Sequence, residues 1–361
     1  MKKKVSLIFG GRSAEHEVSV ISAKNIFNAI NTSLFDVQLL GISKEGTWYH
    51  FSSPEVFKKY PSLNDAELGS ETAVTLLSIA GKPYIYSLKD GTKQAVDCAF
   101  PIIHGTMGED GTLQGLFKVV QIPFVGCDVL ASAVGMDKEY TKRLMTDAGI
   151  KNSKYMILRP GSLQPYAEVV KNLGTPFFIK PANAGSSVGV HKIKSESDYT
   201  SKIKDSFLYD HKVLAEEFND GAEIECSVLG LNQSAKASLP GQLVVNHEFY
   251  SYEAKYIDAN GAEIVIPARI TEAQTEQIRT LAVKTFKTLG CDGLARVDFF
   301  LNKNGEILVN EINTLPGFTQ ISMYPKMWEA TGMKYTDLIT ELVNLAFAKF
   351  DSDKKLKLDF K

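Results

Sequence analysis

Cysteine is scarce in the chain. The four present, Cys98, Cys127, Cys226 and Cys291, are scattered and include no CxxC pair. That pattern excludes a disulfide scaffold and predicts reduced, mostly buried thiols in a cytoplasmic protein. Long apolar runs are also missing, for no stretch approaches the ~20 residues of a membrane span. The basic start Met1-Lys2-Lys3-Lys4 is followed only by Val5 to Phe9, with a serine inside, which is too short for a secretory signal. No charge of one sign dominates. Lys and Arg total 40 against 42 Asp and Glu, a net −2, which points away from nucleic-acid and membrane partners. Low-complexity tracts and internal repeats are absent as well.

What is present reads as a globular α/β chain. Its 361 residues, 44% of them hydrophobic, exceed one ordinary core and imply two or three domains. Lys4 to Phe9 is a short apolar strand running into Gly10-Gly11. A helical stretch follows from about Ala14 to Ile30, then a strand from Val37 to Ile42. This is the βαβ opening of an α/β domain. Residues 51–80 are polar and irregular, as expected of an insertion. Val96 to Ile103 is a buried strand, a helix starts at Asp110-Gly111, and Pro123 and Gly126 mark the end of the domain. Beyond a helix from Asp137, strands are expected at 177–180, 188–193 and 213–218, then near 223–231, 242–248, 294–301 and 306–312. Long helices are expected at 271–289 and 335–350.

The last two strands carry the clearest chemistry. In Ala295 to Leu301 (ARVDFFL), Arg296 and Asp298 share one face, because alternate residues of a strand point the same way. Asn302-Lys303-Asn304-Gly305 is a turn, and Asn-Gly is a strong two-residue hairpin signal. If Asn304 and Gly305 form that loop, Asp298 falls opposite Glu311 and Arg296 opposite Asn313. Two carboxylates placed directly opposite repel one another, which makes sense if a cation lies between them. Carboxylate and amide oxygens suit a hard ion such as Mg²⁺, which usually binds few carboxylates together with substrate phosphates. A surface hairpin with solvated charges is the alternative.

Other segments are weaker alone. Phe177 to Val190 (FFIKPANAGSSVGV) ends a strand on Lys180 and enters a small-residue loop, where backbone N–H groups can approach phosphate. It is neither a Walker A loop nor GxGxxG, so an ordinary hairpin stays open. Glu216 and Glu217 end a strand, and Glu223 follows in GAEIE; each is either a cleft wall or a rim charge. His104 ends a strand before three glycines, at the carboxyl end where α/β sheets bind ligands. Glu15 lies at the first strand-to-helix turn, where it can also simply complement the helix dipole.

Taken together, GGRSAEHEVS (10–19), HGTMGEDGTLQG (104–115), GMDK (135–138), KPANAGSSVGV (180–190), EFYSYEAKY (248–256), IPAR (266–269), ARVDFF (295–300) and NEINTLPGFTQISMYP (310–325) resemble the D-alanine–D-alanine ligases of the ATP-grasp superfamily. The likeness spans Leu7 to about Pro325. It implies an α/β (α+β ATP-grasp) fold: a Rossmann-like pre-ATP-grasp domain over 1–125, a central subdomain over 126–215, and a C-terminal subdomain over 216–361, with ATP between the last two. It also implies ATP-dependent joining of two D-alanines through a D-alanyl phosphate, for peptidoglycan precursor synthesis, in a cytoplasmic homodimer.

The resemblance assigns roles residue by residue. Lys138 and Lys180 touch the ATP phosphates, and Ala184 to Ser187 cover them, Ser187 included. Glu216, Glu217 and Asn219 read the adenine, Glu223 holds the ribose, and Lys255 belongs to a closing loop. Asp298, Glu311 and Asn313 hold two Mg²⁺ (or Mn²⁺). Glu15 takes the first D-alanine's ammonium, with Ser186 and Tyr256 as its hydrogen-bonded partners. Arg296 and the Gly317 backbone form the oxyanion site, Ser322 binds the second carboxylate, and His104 sits beside the second amine. Ligases that join D-alanine to D-lactate typically carry phenylalanine at the position of Tyr256, so the dipeptide is the expected product. Another ATP-grasp ligase, or a nucleotide-binding regulator on the same scaffold, is the rival.

Overall fold

The structure is a computed structural model that describes residues 2–69, 71–245 and 262–357. Lys255 and Tyr256 lie outside the described residues, as does the whole of the EFYSYEAKY motif. Three sheets organise the chain. In the first, Lys3–Gly10 pairs in parallel with Phe35–Ile42 on one side and Cys98–Pro101 on the other. Residues 5–10 of the central strand are all buried. That is why it reads as a continuous apolar run rather than an alternation. The helix His16–Ala29 packs on it.

Residues 51–80 correct the expectation of an irregular insertion. Trp48–Phe51, Thr72–Ile79, Lys82–Ser87 and Lys93–Ala95 extend the parallel sheet as four antiparallel strands, with short helices at Val56–Lys59 and Asp65–Leu68. The outer strands are only partly buried, so their apolar alternation is weak. His16 ties this extension to the glycine turn. Its Nδ1 donates to Gly11 O at 2.7 Å, and its Nε2 accepts the Leu63 N–H at 2.9 Å. The loop between the two short helices therefore braces the turn that carries Glu15.

The second sheet is antiparallel, in the order His191–Ile193, Phe177–Pro181, Val213–Glu217, Tyr155–Leu158. The expected boundary at 215/216 falls inside its strand Val213–Glu217. The third sheet runs Ala262–Val265, Gly241–Val245, Ala222–Gly230, Gly293–Leu301, Ile307–Asn313, with Lys236–Ala237 beside Ala222–Gly230. The helix Glu272–Thr288 covers its apolar face, and starts where Thr271 and Gln274 form a capping box. Cys127, Ala131, Met145 and Ile150 share that core, so the helices Val129–Met136 and Lys138–Asp147 pack toward the third sheet. All four cysteines are free and buried. Among the described residues, no helix is long and apolar enough to cross a membrane.

Candidate active site

Two adjoining cavities, about 180 and 400 Å³, lie where the three sheets meet. They share Lys138, Ala184 to Ser186, Glu225, Leu243, Arg296 and Glu311 as walls. The smaller is lined also by Glu15, His104, Glu109, Gly317 and Ser322. The larger carries Lys180, Ser187, Glu216, Glu217, Asn219, Glu223 and Asp298. Asn313 lines the smaller one. The structure thus gathers every described candidate residue around one cleft.

The hairpin has the expected pairing at its functional end. Asp298 faces Glu311 and Arg296 faces Asn313. It reaches that pairing by another route. The turn has three residues, Lys303, Asn304 and Gly305, closed by Asn302 N–H to Glu306 O and Gly305 N–H to Asn302 O, and Gly305 is left-handed. That extra loop residue shifts the register by one, and a bulge between Val309 and Glu311 shifts it back. Both Asn310 and Glu311 then line the larger cavity, although alternation alone would separate them. Bulges commonly re-aim side chains beside active sites in this way.

A third acid completes the row. Glu225 pairs with Asp298 from the opposite neighbouring strand, so Glu225, Asp298 and Glu311 lie side by side across three strands. Arg296 compensates them: its Nε and Nη2 reach the two Asp298 oxygens at 2.7 Å each, and Nε lies 2.9 Å from Glu225 Oε2. Burial opposes the arginine's charge, but Asp298 and Glu225 outweigh it and hold its pKa far up. No three His, Cys, Asp or Glu side chains converge as a metal cluster among the described residues. Asp298, Glu311 and Asn313 nonetheless supply hard oxygens on one surface, with two facing carboxylates, and that donor set fits a divalent ion whose shell phosphates complete. Asn313 Oδ1 also accepts the Leu315 N–H at 2.9 Å.

Along the larger cavity, Lys138 Nζ donates to Ala184 O at 2.6 Å. Ser186 and Ser187 both have left-handed backbone, with φ of 51° and 61°, a strained choice for non-glycine residues that clusters at functional loops. Lys180 Nζ lies 2.9 Å from Glu216 Oε1. Lys142 Nζ lies 3.0 Å from Glu216 Oε2. Burial disfavours the ionised Glu216, but Lys142 and Lys180 win and keep it low. Burial also pushes Lys138 and Lys142 down. Glu217 accepts the Lys154 N–H at 2.8 Å, and Asn219 donates to Ser153 Oγ at 2.9 Å. Phe178 and Phe218, with ring centroids 6.1 Å apart, also line this cavity.

On the other side, Ser186 Oγ donates to Glu15 Oε1 at 2.5 Å, tying the glycine loop to the N-terminal sheet. His104 is buried with both ring nitrogens engaged. Its Nδ1 faces Leu315 O at 3.1 Å, and only an N–H donates to a carbonyl, so Nε2 accepts from Ser22 Oγ at 3.2 Å. Burial lowers its pKa, so the ring is held neutral. Ser322 precedes the helix Met323–Ala330, and its Oγ accepts the Thr319 N–H at 2.9 Å. A Cβ on Gly317 would stand 2.7 Å from that oxygen, so only glycine leaves this backbone open to the cavity.

Glu109 was not among the residues expected from the sequence. Its Oε1 accepts the Gly105 N–H at 2.8 Å. Burial, then the charge of Glu15, raises its carboxyl to about 8. The folded chain therefore keeps a proton there that the unfolded chain releases near 4.5. Between those values the folded state binds more protons, so this group's stabilising contribution is full below about pH 4.5 and is lost as pH rises through about 8. Glu109→Gln stays neutral throughout. The fall in Tm of the wild-type chain from pH 5 to 8 should be markedly smaller in the variant, since each pKa unit is worth about 1.4 kcal/mol. Equal slopes in the two proteins would remove Glu109 as the titrating group.

The "D-ala D-ala ligase N-terminus" family matches residues 4–127, and the "D-ala D-ala ligase C-terminus" family residues 144–344. A D-alanine–D-alanine ligase of Oceanobacillus iheyensis is 49% identical over 99% of this chain and 98% of its own length. D-alanine–D-alanine ligase A of Escherichia coli K12 is 48% identical over 99% of each. Among solved structures, the D-alanine–D-alanine ligase of Coxiella burnetii aligns with a TM-score of 0.87 at 38% identity, covering 98% of this chain and 96% of that one. The VanG D-Ala:D-Ser ligase of Enterococcus faecalis aligns at 0.84 and 36%, covering 96% and 100%. The fold is accordingly the α/β ATP-grasp architecture behind an N-terminal α/β domain. With both halves matched and near-complete relatives at this identity, the chain belongs to the D-alanine–D-alanine ligase family.

Proposed function

We propose that the protein uses ATP to join two D-alanine molecules, through a D-alanyl phosphate, into D-alanyl-D-alanine with release of ADP and phosphate, for peptidoglycan precursor synthesis. The observation that carries this reading is the shared wall of Lys138, Arg296 and Glu311 between a larger and a smaller cavity. Nucleotide and amino acids can meet there without leaving the cleft. The three-part division at 1–125, 126–215 and 216–361 belongs to the same reading, with the second boundary moved past Glu217.

A carboxylate is a poor electrophile, so phosphorylation must precede attack. Lys138 and Lys180 would neutralise the ATP phosphates, under the loop from Ala184 to Ser187. Glu216, Glu217 and Asn219 would border the adenine between Phe178 and Phe218, with Glu223 on the ribose. Asp298, Glu311 and Asn313 would hold two Mg²⁺ or Mn²⁺. Bound there, the ions supply charge neutralisation for phosphoryl transfer. Glu15, oriented by Ser186, would take the first ammonium. Ser322, at a helix N-terminus, would take the second carboxylate. Arg296 and the Gly317 N–H would stabilise the oxyanion. His104, neutral and pinned by Leu315 and Ser22, favours an uncharged amine beside it and is not placed as a free base. Lys255 and Tyr256 complete the reading as lid residues. The protein acts in the cytoplasm, as a homodimer through the N-terminal domain. The exposed Leu116 and Val119 on the helix Thr112–Val119 support that contact.

The test is phosphate release with ATP and Mg²⁺, comparing D-alanine with L-alanine, and D-serine or D-lactate as second substrate. Turnover is expected with D-alanine alone and not with L-alanine. Absence of D-alanine-dependent release would overturn the reading, and preference for D-serine or D-lactate would change the product.

A further inference from the structure

Lys142 stands one helical turn after Lys138 in the helix Lys138–Asp147. Its side chain is 1% exposed and lines neither cavity. Its ammonium lies 3.0 Å from one oxygen of Glu216, while that of Lys180 lies 2.9 Å from the other. Lys180 differs in one respect: its side chain is 13% exposed and forms part of the larger cavity's wall. It also reaches the bulged Asn310, at 3.5 Å. One buried carboxylate thus has two cations, one sealed away from any ligand and one facing it.

The asymmetry has a consequence for anion binding. A lysine ammonium has three donors and can be drawn toward an arriving phosphate. If Lys180 were the only partner of Glu216, that movement would strand a buried carboxylate beside the incoming negative charge. A second cation that cannot leave removes that penalty.

We propose that Lys142 is a positioning residue of the nucleotide site, a fixed counter-ion to Glu216 that leaves Lys180 available to the phosphates of ATP. This rests on the ATP-dependent reading given above. Lys142 touches neither nucleotide nor amino acid; it acts through Glu216.

Three variants test it: Lys142→Met, Glu216→Gln and the pair combined. Removing one partner of a buried charge pair leaves the other uncompensated, and Lys142→Met is expected to raise KM for ATP by about 10- to 100-fold. KM for D-alanine should stay within about threefold, because the smaller cavity is untouched. The double variant, which removes the stranded carboxylate, should recover ATP affinity to within about tenfold of wild type, as neutralising both partners of a buried pair is better tolerated than removing one. A purely structural lysine would give no such rescue. An ATP effect below tenfold, an equal rise in both KM values, or a double variant no better than the single one overturns the proposal. If Lys142→Met does not fold, the double variant decides. Calorimetric binding of a non-hydrolysable ATP analogue with Mg²⁺ must then fall within that same range of wild type, and weaker binding overturns it. The binding measurement holds even for a wild-type protein without D-alanine turnover, so failure of the ligase reading and failure of Lys142 are separable.

Discussion

Arg296→Ala is expected to lower kcat/KM by about 100- to 1000-fold and to destabilise the fold at the same time. The first effect follows from the arginine's place on the shared wall of both cavities. Loss of one preorganised oxyanion donor typically costs about 100- to 1000-fold. The second follows from the row of Glu225, Asp298 and Glu311 across three paired strands. The same guanidinium contacts both Asp298 oxygens and one oxygen of Glu225. Without it, these largely buried carboxylates lose a directly paired cation, a change that typically costs about 3–5 kcal/mol. Arg296→Lys should recover little, because a point charge cannot make the forked contact to Asp298. A further signature separates this from ordinary damage. Divalent cations should raise the Tm of Arg296→Ala more than that of wild type, since the exposed acids then gain an alternative counter-ion. Steady-state rates and thermal melts with and without Mg²⁺ are the measurements. A variant within tenfold of wild-type activity would exclude Arg296 from the chemistry.

That row of acids also shows where sequence reasoning succeeded and where it ran out. The facing of Asp298 and Glu311 was legible because strands alternate and hairpins pair. Yet the inferred two-residue loop is a three-residue loop, and only the bulge at Asn310 restores the pairing. Loop length and bulge are set by left-handed backbone and tertiary fit, which local pattern does not encode. Glu225 was missed although the signal existed: it lies two residues after Glu223 on one strand, so both share a face. Its partnership with Asp298 joins strands distant in sequence, and nothing local announces it. Lys142 likewise follows Lys138 by four residues on one helix face, but a lysine on a helix is ordinarily a solvated charge. Glu109 sat in plain view in HGTMGEDG, and only burial distinguishes it from its neighbour Asp110. The polar stretch 51–80 hid a strand because its outer face is wet. What stayed illegible is therefore whatever depends on which distant segment packs on top.

The last expected result turns on a conflict between stability and function. Glu311→Gln is expected to cut kcat/KM by about 100-fold or more, yet to change Tm without divalent ions little. A carboxylate directly opposite another on neighbouring strands is destabilising, and Glu311 faces Asp298 with Glu225 beyond it. An amide keeps the shape of the side chain and removes one of three charges. Lys138 and Arg296 attract Glu311 and offset part of that repulsion; the remainder is a local cost that the sheet carries, and such costs concentrate at functional sites. If the cost serves the binding of divalent ions with the ATP phosphates, neutralising Glu311 must weaken that binding, since ion affinity for oxygen sites depends on ligand charge. The half-saturating Mg²⁺ concentration should rise, and the stabilisation that Mg²⁺ and a non-hydrolysable ATP analogue give together should shrink. Asp298→Asn should behave similarly in activity but not in stability, because Asp298 also pairs with Arg296 at two positions and its loss removes an attraction along with the repulsion. The two variants therefore separate the roles: Glu311 chiefly for the cation, Asp298 for cation and arginine together. A Glu311→Gln protein that melts earlier than wild type while retaining full turnover would make the facing acids structural and end the metal reading of this hairpin.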